Sequence, residues 1–349
     1  MPTLVRLAIL AAVSLLTSSA ALAADSYPNT NFGAPFSNDE SWYRQCMRVA
    51  DLGAPQASGR AAPSPQCDAS ALYYSKLNQA ATPPAEWQTV RACASAKADS
   101  AVLMMLYANG FGVPRDVDLA LHYACQLEAA KAEMEARVAH LAAARGIDRP
   151  FAQPFDQCDD ITSGYMEAVC AAIRETQDER VRVARLERIG KALTPASRAA
   201  FAKLRAAAER YAAQGSGEVD MQGSGAPARA LQRQARLREQ FMQAALDAVN
   251  GKLPSASAAA YAQQDSSLND AYQAVMNTPS TQNEWPDRIG VSTISRTSVR
   301  GTERLWLAYR DAFAAFAATL RSADPVAVKT LLAGQRTAQL AEVARDAHW

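Results

Sequence analysis

Apolar residues in this chain recur at steps of three and four positions, the period of an amphipathic helix. No segment sustains the alternation of apolar and polar positions that is typical of a β-strand. The clearest stripe lies near the C-terminus and consists of Trp306, Tyr309, Phe313, Phe316 and Leu320. The pattern predicts an all-α protein, with a helical repeat pair followed by long helices and a C-terminal helical hairpin bundle.

A second stripe precedes the first on a separate predicted helix and consists of Tyr261, Leu268, Tyr272 and Val275. We expect the two faces to bury each other if the helices run antiparallel around a loop near residues 278–298. Asp265 would then lie level with Arg310, a pairing that suits a charge-assisted hydrogen bond. Asn269 would lie close to Trp306 and accept from its indole N–H.

The N-terminus has the features of a secretory signal. Arg6 precedes an apolar run at residues 7–16, and small residues at 21–23 favour cleavage before Ala24. The run is too short to remain as a membrane-spanning helix. These features predict a periplasmic or secreted bacterial protein with no integral membrane segment after signal cleavage.

Breaks in the helical pattern divide the chain into five regions. We predict a signal peptide at 1–23, a flexible lead-in at 24–39, a disulfide-containing repeat region at 40–157, a long-helix region at 158–253 and a C-terminal helical domain at 254–349.

The six cysteines all lie in the first half of the chain: Cys46, Cys67, Cys93, Cys125, Cys158 and Cys170. An even number in an exported protein favours structural disulfides. Fifteen pairings are possible; we expect neighbours in sequence to pair, most firmly Cys158 with Cys170. Metal binding is the rival, but there is no Cys-x-x-Cys pair, and the histidines His122, His140 and His348 lack cysteines at zinc-finger spacing. The sequence therefore predicts no metal site and no cofactor.

The most specific local motif of the first half lies at residues 101–123. Gly110 can end one helix in a left-handed conformation, and Asp116 can cap the next. Together with Tyr107, Gly112 and Val113, these positions resemble the Sel-like repeat, a relative of the tetratricopeptide repeat. Residues 69–96 resemble a degenerate preceding unit that lacks the glycine turn. Stacked repeats of this kind imply a surface for protein binding.

The C-terminal stripes resemble the lysozyme inhibitor LprI-like domain of bacterial envelope proteins. The matching positions are Asp265, Leu268, Asn269, Tyr272, Trp306, Tyr309, Arg310 and Asp311. Members commonly carry a disulfide across this hairpin, and both of its cysteines are missing here. The resemblance implies a binding surface, with candidate residues Asp265, Asn269, Tyr272, Trp306, Tyr309, Arg310 and Asp311. The alternative is that these residues only clamp the helical hairpin.

Charge and chemistry narrow the function classes. The formal net charge of +1 gives no nucleic-acid footprint. No spacing suggests a nucleophile with its base or a pair of opposed carboxylates, so we predict a protein that is not an enzyme. The leading interpretation is an envelope protein that binds a protein partner, with lysozyme as the first candidate. The alternatives are a cell-wall or envelope tethering protein, suggested by the basic residues 171–252, and a hydrolase with an unrecognised site.

Overall fold

The computed structural model describes residues 27–53, 64–79, 81–147, 149 and 151–348, so the predicted signal peptide lies outside the described residues. Within them, every regular element is a helix, and only two isolated β-bridges occur, in the loop at residues 280–295. The prediction of an all-α protein is confirmed. The helices are α1 (Ser41–Arg48), α2 (Ala69–Leu77), α3 (Pro84–Lys97), α4 (Ser100–Asn109), α5 (Val117–Ala124), α6 (Lys131–Ala143), α7 (Gly164–Ala192), α8 (Pro195–Gly215), α9 (Ala226–Val249), α10 (Ala258–Asn277), α11 (Arg296–Ala317) and α12 (Pro325–Asp346).

Short polar side chains begin most of these helices. Each accepts a hydrogen bond from a backbone N–H of the first turn, which would otherwise lack a partner. The capping residues are Asp68, Asp99, Asp116, Ser163, Thr194, Ser257, Ser295 and Asp324. The turn between α4 and α5 has the geometry predicted from its sequence: Gly110 and Gly112 are left-handed, and Asp116 accepts from two backbone N–H groups.

The helices α1 to α6 surround a core that we call the front core, which runs from Trp42 to Phe155. Three disulfides hold the front part of the chain, and Cys158 pairs with Cys170 as predicted. For the other four cysteines the prediction holds only in part: Cys67 pairs with its neighbour Cys93, but Cys46 and Cys125 are not neighbours. Cys46 pairs with Cys125, and this loop encloses the bond between Cys67 and Cys93. The reason is helix packing, because α1 lies against α5 and α6 and brings Cys46 beside the C-terminal end of α5.

Three aromatic side chains of the predicted flexible lead-in pack against the front core: Tyr27, Phe32 and Phe36. The hydroxyl of Tyr27 donates to the Cys46 carbonyl at 3.2 Å, and its ring stacks on His122. Phe32 and Phe36 make edge contacts with the buried Trp42. Aromatic side chains thus attach this segment to the front core although its composition is that of a loop.

The C-terminal end of α7 and the helices α8 to α12 form a second core, the rear core, which runs from Leu186 to Ala347. α8 packs against α11, α7 against α9, and α10 against α12. This core crosses the predicted boundary between residues 253 and 254. The long helices and the C-terminal helices therefore share one set of buried contacts.

The expectation that α10 and α11 bury each other is wrong. Both helices pack on α12, while α11 packs more extensively on α8. The buried side chains of α10, Leu268 and Val275, belong to the rear core that α12 completes. An open groove is left where the predicted hairpin seam would be.

Candidate functional site

The groove between α10 and α11 has a volume of about 640 Å³. We call it the α10–α11 groove. Its walls combine arginines, amides and apolar side chains: Asp265, Leu268, Asn269, Tyr272, Gln273, Thr297, Arg300, Glu303, Arg304, Trp306, Leu307 and Arg310. The sequence-predicted residues Asp265, Asn269, Tyr272, Trp306 and Arg310 are thus brought together.

Trp306 and Leu307 give the groove its apolar character. Trp306 is 2% exposed, whereas Leu307 is 38% exposed although it is a large aliphatic residue. The guanidinium of Arg310 lies 5.4 Å from the Trp306 ring centroid, a cation–π arrangement. The indole is therefore covered by a charged group and by the core, and Leu307 is left for a ligand to cover.

The predicted proximity of Asp265 and Arg310 is found, but the pair is loose. Their closest oxygen and nitrogen atoms are 4.0 Å apart, while Arg310 donates to Asp311 at 2.8 Å and 2.9 Å. Asp265 instead accepts from the hydroxyl of Tyr261 at 3.1 Å. Asp311 therefore holds the guanidinium, and Asp265 contributes a half-exposed carboxylate to the groove.

Two predicted site residues have other surroundings. Tyr309 points away from the groove, where its ring stacks on Tyr211 of α8 at 5.4 Å and burial raises the pKa of its hydroxyl. No hydrogen bond joins Asn269 to the Trp306 indole in the part of the chain that the structure describes, so that predicted contact is wrong. Asn269 is exposed at the groove, and Tyr309 is a core residue.

Two arginines that the sequence interpretation did not single out lie on the α11 wall. Arg300 is 52% exposed and approaches Asp287 at 3.6 Å. Arg304 is exposed one helical turn later and makes no hydrogen bond or ion pair with any described residue. Their spacing of four positions is visible in the sequence and was the signal that could have identified them.

Behind the groove lies a charge network with a buried centre made of Glu218, Arg233 and Arg336. Its outer members are Glu303 and the half-exposed Glu342. Arg336 is fully buried and donates two hydrogen bonds to Glu218, at 2.7 and 2.8 Å. It also donates to Glu303 at 2.9 Å, which links the network to the groove wall. Arg233 donates to Glu218 at 2.7 Å and to Glu342 at 2.9 Å.

The pKa values of two carboxylates in this network are shifted in opposite directions. Burial alone would raise the pKa of Glu218, but the Arg336 and Arg233 guanidinium groups outweigh it and hold that pKa below the usual value. For Glu303, burial dominates over Arg336 and raises the pKa. The signal in the sequence for this network is Arg336, a charged residue on the apolar stripe of α12 between Leu332 and Leu340.

Metal-binding and histidine chemistry have little support in the described residues. They include no group of three or more histidine, cysteine or acidic side chains placed to hold a metal ion. His122 contacts the carbonyl of Val49 at 2.9 Å, and His140 contacts Asp160 at 3.0 Å. Both contacts are of the kind that fixes a histidine within a fold.

Comparison with known proteins points to the same part of the chain. No curated protein and no solved structure matches this chain. Residues 244–343, which contain α10, α11 and nearly all of α12, match the family model of lysozyme inhibitor LprI. The C-terminal part of this chain, including the α10–α11 groove, is therefore similar to the lysozyme inhibitor LprI family, as its aromatic and charged motif indicated.

Proposed function

We propose that this chain is a non-catalytic envelope protein that binds a lysozyme-type muramidase through its C-terminal helical domain and inhibits it. The observation that carries the proposal is the family match at residues 244–343. The groove lies within the matched residues and is formed by the two helices that bear the family-like motif.

The composition of the groove supports a protein ligand. Tryptophan, tyrosine and arginine are the residues most enriched where binding energy concentrates in protein interfaces. Tyr272, Trp306 and three arginines occur together here, and the exposed Leu307 adds apolar area that a partner would bury. We propose Asp265, Asn269, Tyr272, Trp306, Arg310 and Asp311 as binding residues, with Tyr309 supporting α11 from the core.

An extracytoplasmic location fits the chemistry of the front core. Three disulfides persist in oxidising compartments and are rare in reducing ones. No helix among residues 27–348, so far as they are described, is long and apolar enough to cross a membrane. We propose that the protein acts in the periplasm or outside the cell, after cleavage before Ala24.

The front part is proposed as a second, steering surface. Residues 24–170 carry 17 acidic and 11 basic side chains, which would attract a cationic muramidase over a distance set by the Debye length. Its paired helices α2–α3 and α4–α5 also support the Sel-like assignment, which we retain as a proposal.

The tethering alternative has less support. Several arginines of the basic region are engaged within the fold: Arg182 donates to Glu175, Arg233 to Glu218, and Arg238 to Glu209. They stabilise contacts of α7, α8 and α9 rather than forming a free cationic surface.

Titration calorimetry of lysozyme with the mature chain (residues 24–349) tests the proposal. We expect measurable binding that Leu307→Asp abolishes, because it puts a charge into the apolar part of the groove. Val181→Asp is the matched control, since Val181 is an exposed aliphatic residue of α7 outside the groove. No heat of binding with the unsubstituted chain, or equal loss in both variants, would contradict the proposal.

A further inference from the structure

We propose that the α10–α11 groove accepts acidic side chains: its occupant is a protruding polypeptide segment of the partner whose carboxylates are bound by Arg304 and Arg300. This inference rests on the proposed function for the existence of a protein partner. It adds the chemistry by which that partner is recognised, which the family match does not assign.

The cationic charge of the groove is not neutralised by its own residues. Arg304 has no ion pair or hydrogen bond among the described residues, and Arg300 has only the 3.6 Å approach to Asp287 and a 3.3 Å hydrogen bond to the Thr297 hydroxyl. The two arginines are four positions apart on α11, where like charges repel across one helical turn. A carboxylate bound between them would relieve that repulsion.

The carboxylates of the groove are already engaged. Glu303 accepts from Arg336 at 2.9 Å, and Asp265 accepts from Tyr261 at 3.1 Å and lies 4.0 Å from Arg310. Neither of them pairs with Arg300 or Arg304. Apart from the half-exposed Asp265 carboxylate, the charges that the groove presents to a ligand are therefore those of these two arginines.

The opposite wall supplies neutral donors. Asn269 and Gln273 of α10 line the groove, are exposed, and form no hydrogen bond with other described residues. Each amide carries two N–H groups. A carboxylate between the helices would receive charge-assisted hydrogen bonds from the arginines of α11 and further bonds from the amides of α10.

The apolar part of the groove selects a polypeptide segment over a bare anion. Leu307 is the large apolar side chain that lies exposed beside the arginines. A ligand that covers it needs aliphatic or aromatic groups next to its carboxylates, and a mixed acidic and apolar peptide has both. The planar guanidinium fork also matches a carboxylate in two-point geometry.

Fluorescence anisotropy of the mature chain with labelled peptides tests this inference. The probe is a dodecapeptide of glutamate, leucine and alanine, and its control carries glutamine at every glutamate position. We expect the glutamate peptide to bind at least roughly tenfold more tightly, because a charge-assisted hydrogen bond is stronger than a neutral one. We expect Arg304→Gln to remove most of this difference. Arg321→Gln, at an exposed arginine outside the groove, is expected to leave it unchanged.

Equal binding of the two peptides, no binding of either at millimolar concentration, or equal effects of the two substitutions would overturn the inference. These results are distinct from failure of the proposed function. If lysozyme binds and Arg304→Gln does not weaken it, the acidic-segment inference fails while the function stands. If the glutamate peptide binds and lysozyme does not, the groove chemistry stands and the partner is a different protein.

Discussion

At the scale of single residues, Trp306 connects the core to the groove. Its indole is 2% exposed, one of its neighbours is the Arg310 guanidinium, and its position belongs to both the buried stripe of α11 and the groove wall. Helical periodicity predicts the burial of this residue, because a stripe of large side chains at steps of three and four forms the buried face of a helix.

Trp306→Ala is expected to lower the free energy of unfolding by about 3 to 5 kcal/mol, the range for removing a buried aromatic side chain. Trp285→Ala is the matched control. Trp285 is 54% exposed and contacts Arg288, so its removal is expected to cost less than about 1 kcal/mol. Denaturant unfolding measures both, and similar losses in the two variants would contradict the assigned burial of Trp306.

Glu218→Gln tests the buried charge network. Removing this charge leaves Arg336 and Arg233 without their central partner, and we expect a loss of about 3 to 5 kcal/mol at pH 7. The pKa of Glu218 is lowered in the folded chain, so its carboxylate stabilises the fold above the unfolded pKa and that stability is lost as the pH falls through the folded pKa. The difference between wild type and variant should therefore shrink below about pH 4.3.

Glu303→Gln provides the opposing case. Burial raises the pKa of Glu303, so this group favours the folded chain below its unfolded pKa and loses that contribution as the pH rises through the folded value. Unfolding curves measured from pH 3 to pH 7 give the difference in free energy of unfolding between wild type and each variant. This difference should change with pH in opposite directions for the two variants. Parallel trends would contradict the assigned shifts.

At the scale of elements, the groove exists because α10 and α11 share α12 as a neighbour instead of packing on each other. The helical repeat predicted which face of each helix is buried. Counting outward from the loop near residues 278–298 along two antiparallel helices placed Asp265 level with Arg310. It did not predict the neighbour of each face, because an apolar stripe packs equally well on any complementary stripe. Arg300 and Arg304 were missed for the same reason, since their importance depends on the open side of α11.

The disulfides also show that the sequence predicts contacts between residues close in the chain better than contacts between distant ones. Cys158 and Cys170 are 12 positions apart and were paired correctly, while Cys46 and Cys125 are 79 positions apart and meet only through the packing of α1 on α5. Periodicity carries no signal for a contact of that length.

The length of the closed loop predicts which disulfide bond stabilises the folded chain more. Replacing Cys46 and Cys125 by serine is expected to cost about 4 kcal/mol, and replacing Cys158 and Cys170 about 3 kcal/mol, because closing a longer loop removes more entropy from the unfolded chain. Denaturant unfolding of the two double variants gives the order. A larger loss for the Cys158 and Cys170 pair would contradict it.

At the scale of the whole molecule, α7 joins the two cores. Its N-terminal end is held to the front part by the Cys158–Cys170 bond, and its C-terminal residues Leu186 and Ile189 lie in the rear core. Gly164 at its start lies so close to Ser224 that an added Cβ would come within 2.2 Å of that backbone. One continuous helix thus joins the acidic front part to the rear core, on which the groove helices α10 and α11 pack.

This arrangement gives the two parts different roles in the proposed encounter. The acidic excess of residues 24–170 would attract a cationic partner, and the groove would bind acidic side chains of that partner. Because α8, α9 and α10 to α12 share the rear core, removal of residues 254–349 would expose that core. Single substitutions in the groove are therefore the informative variants.

Clearance of a cell-wall suspension by lysozyme, followed as loss of turbidity, tests the central claim most directly. The mature chain is expected to slow clearance at a few molar equivalents, Leu307→Asp to remove this effect, and Val181→Asp to retain it. Clearance at an unchanged rate in the presence of excess mature chain, or slowing that persists in the Leu307→Asp variant, would contradict the account of the α10–α11 groove as the inhibitory surface.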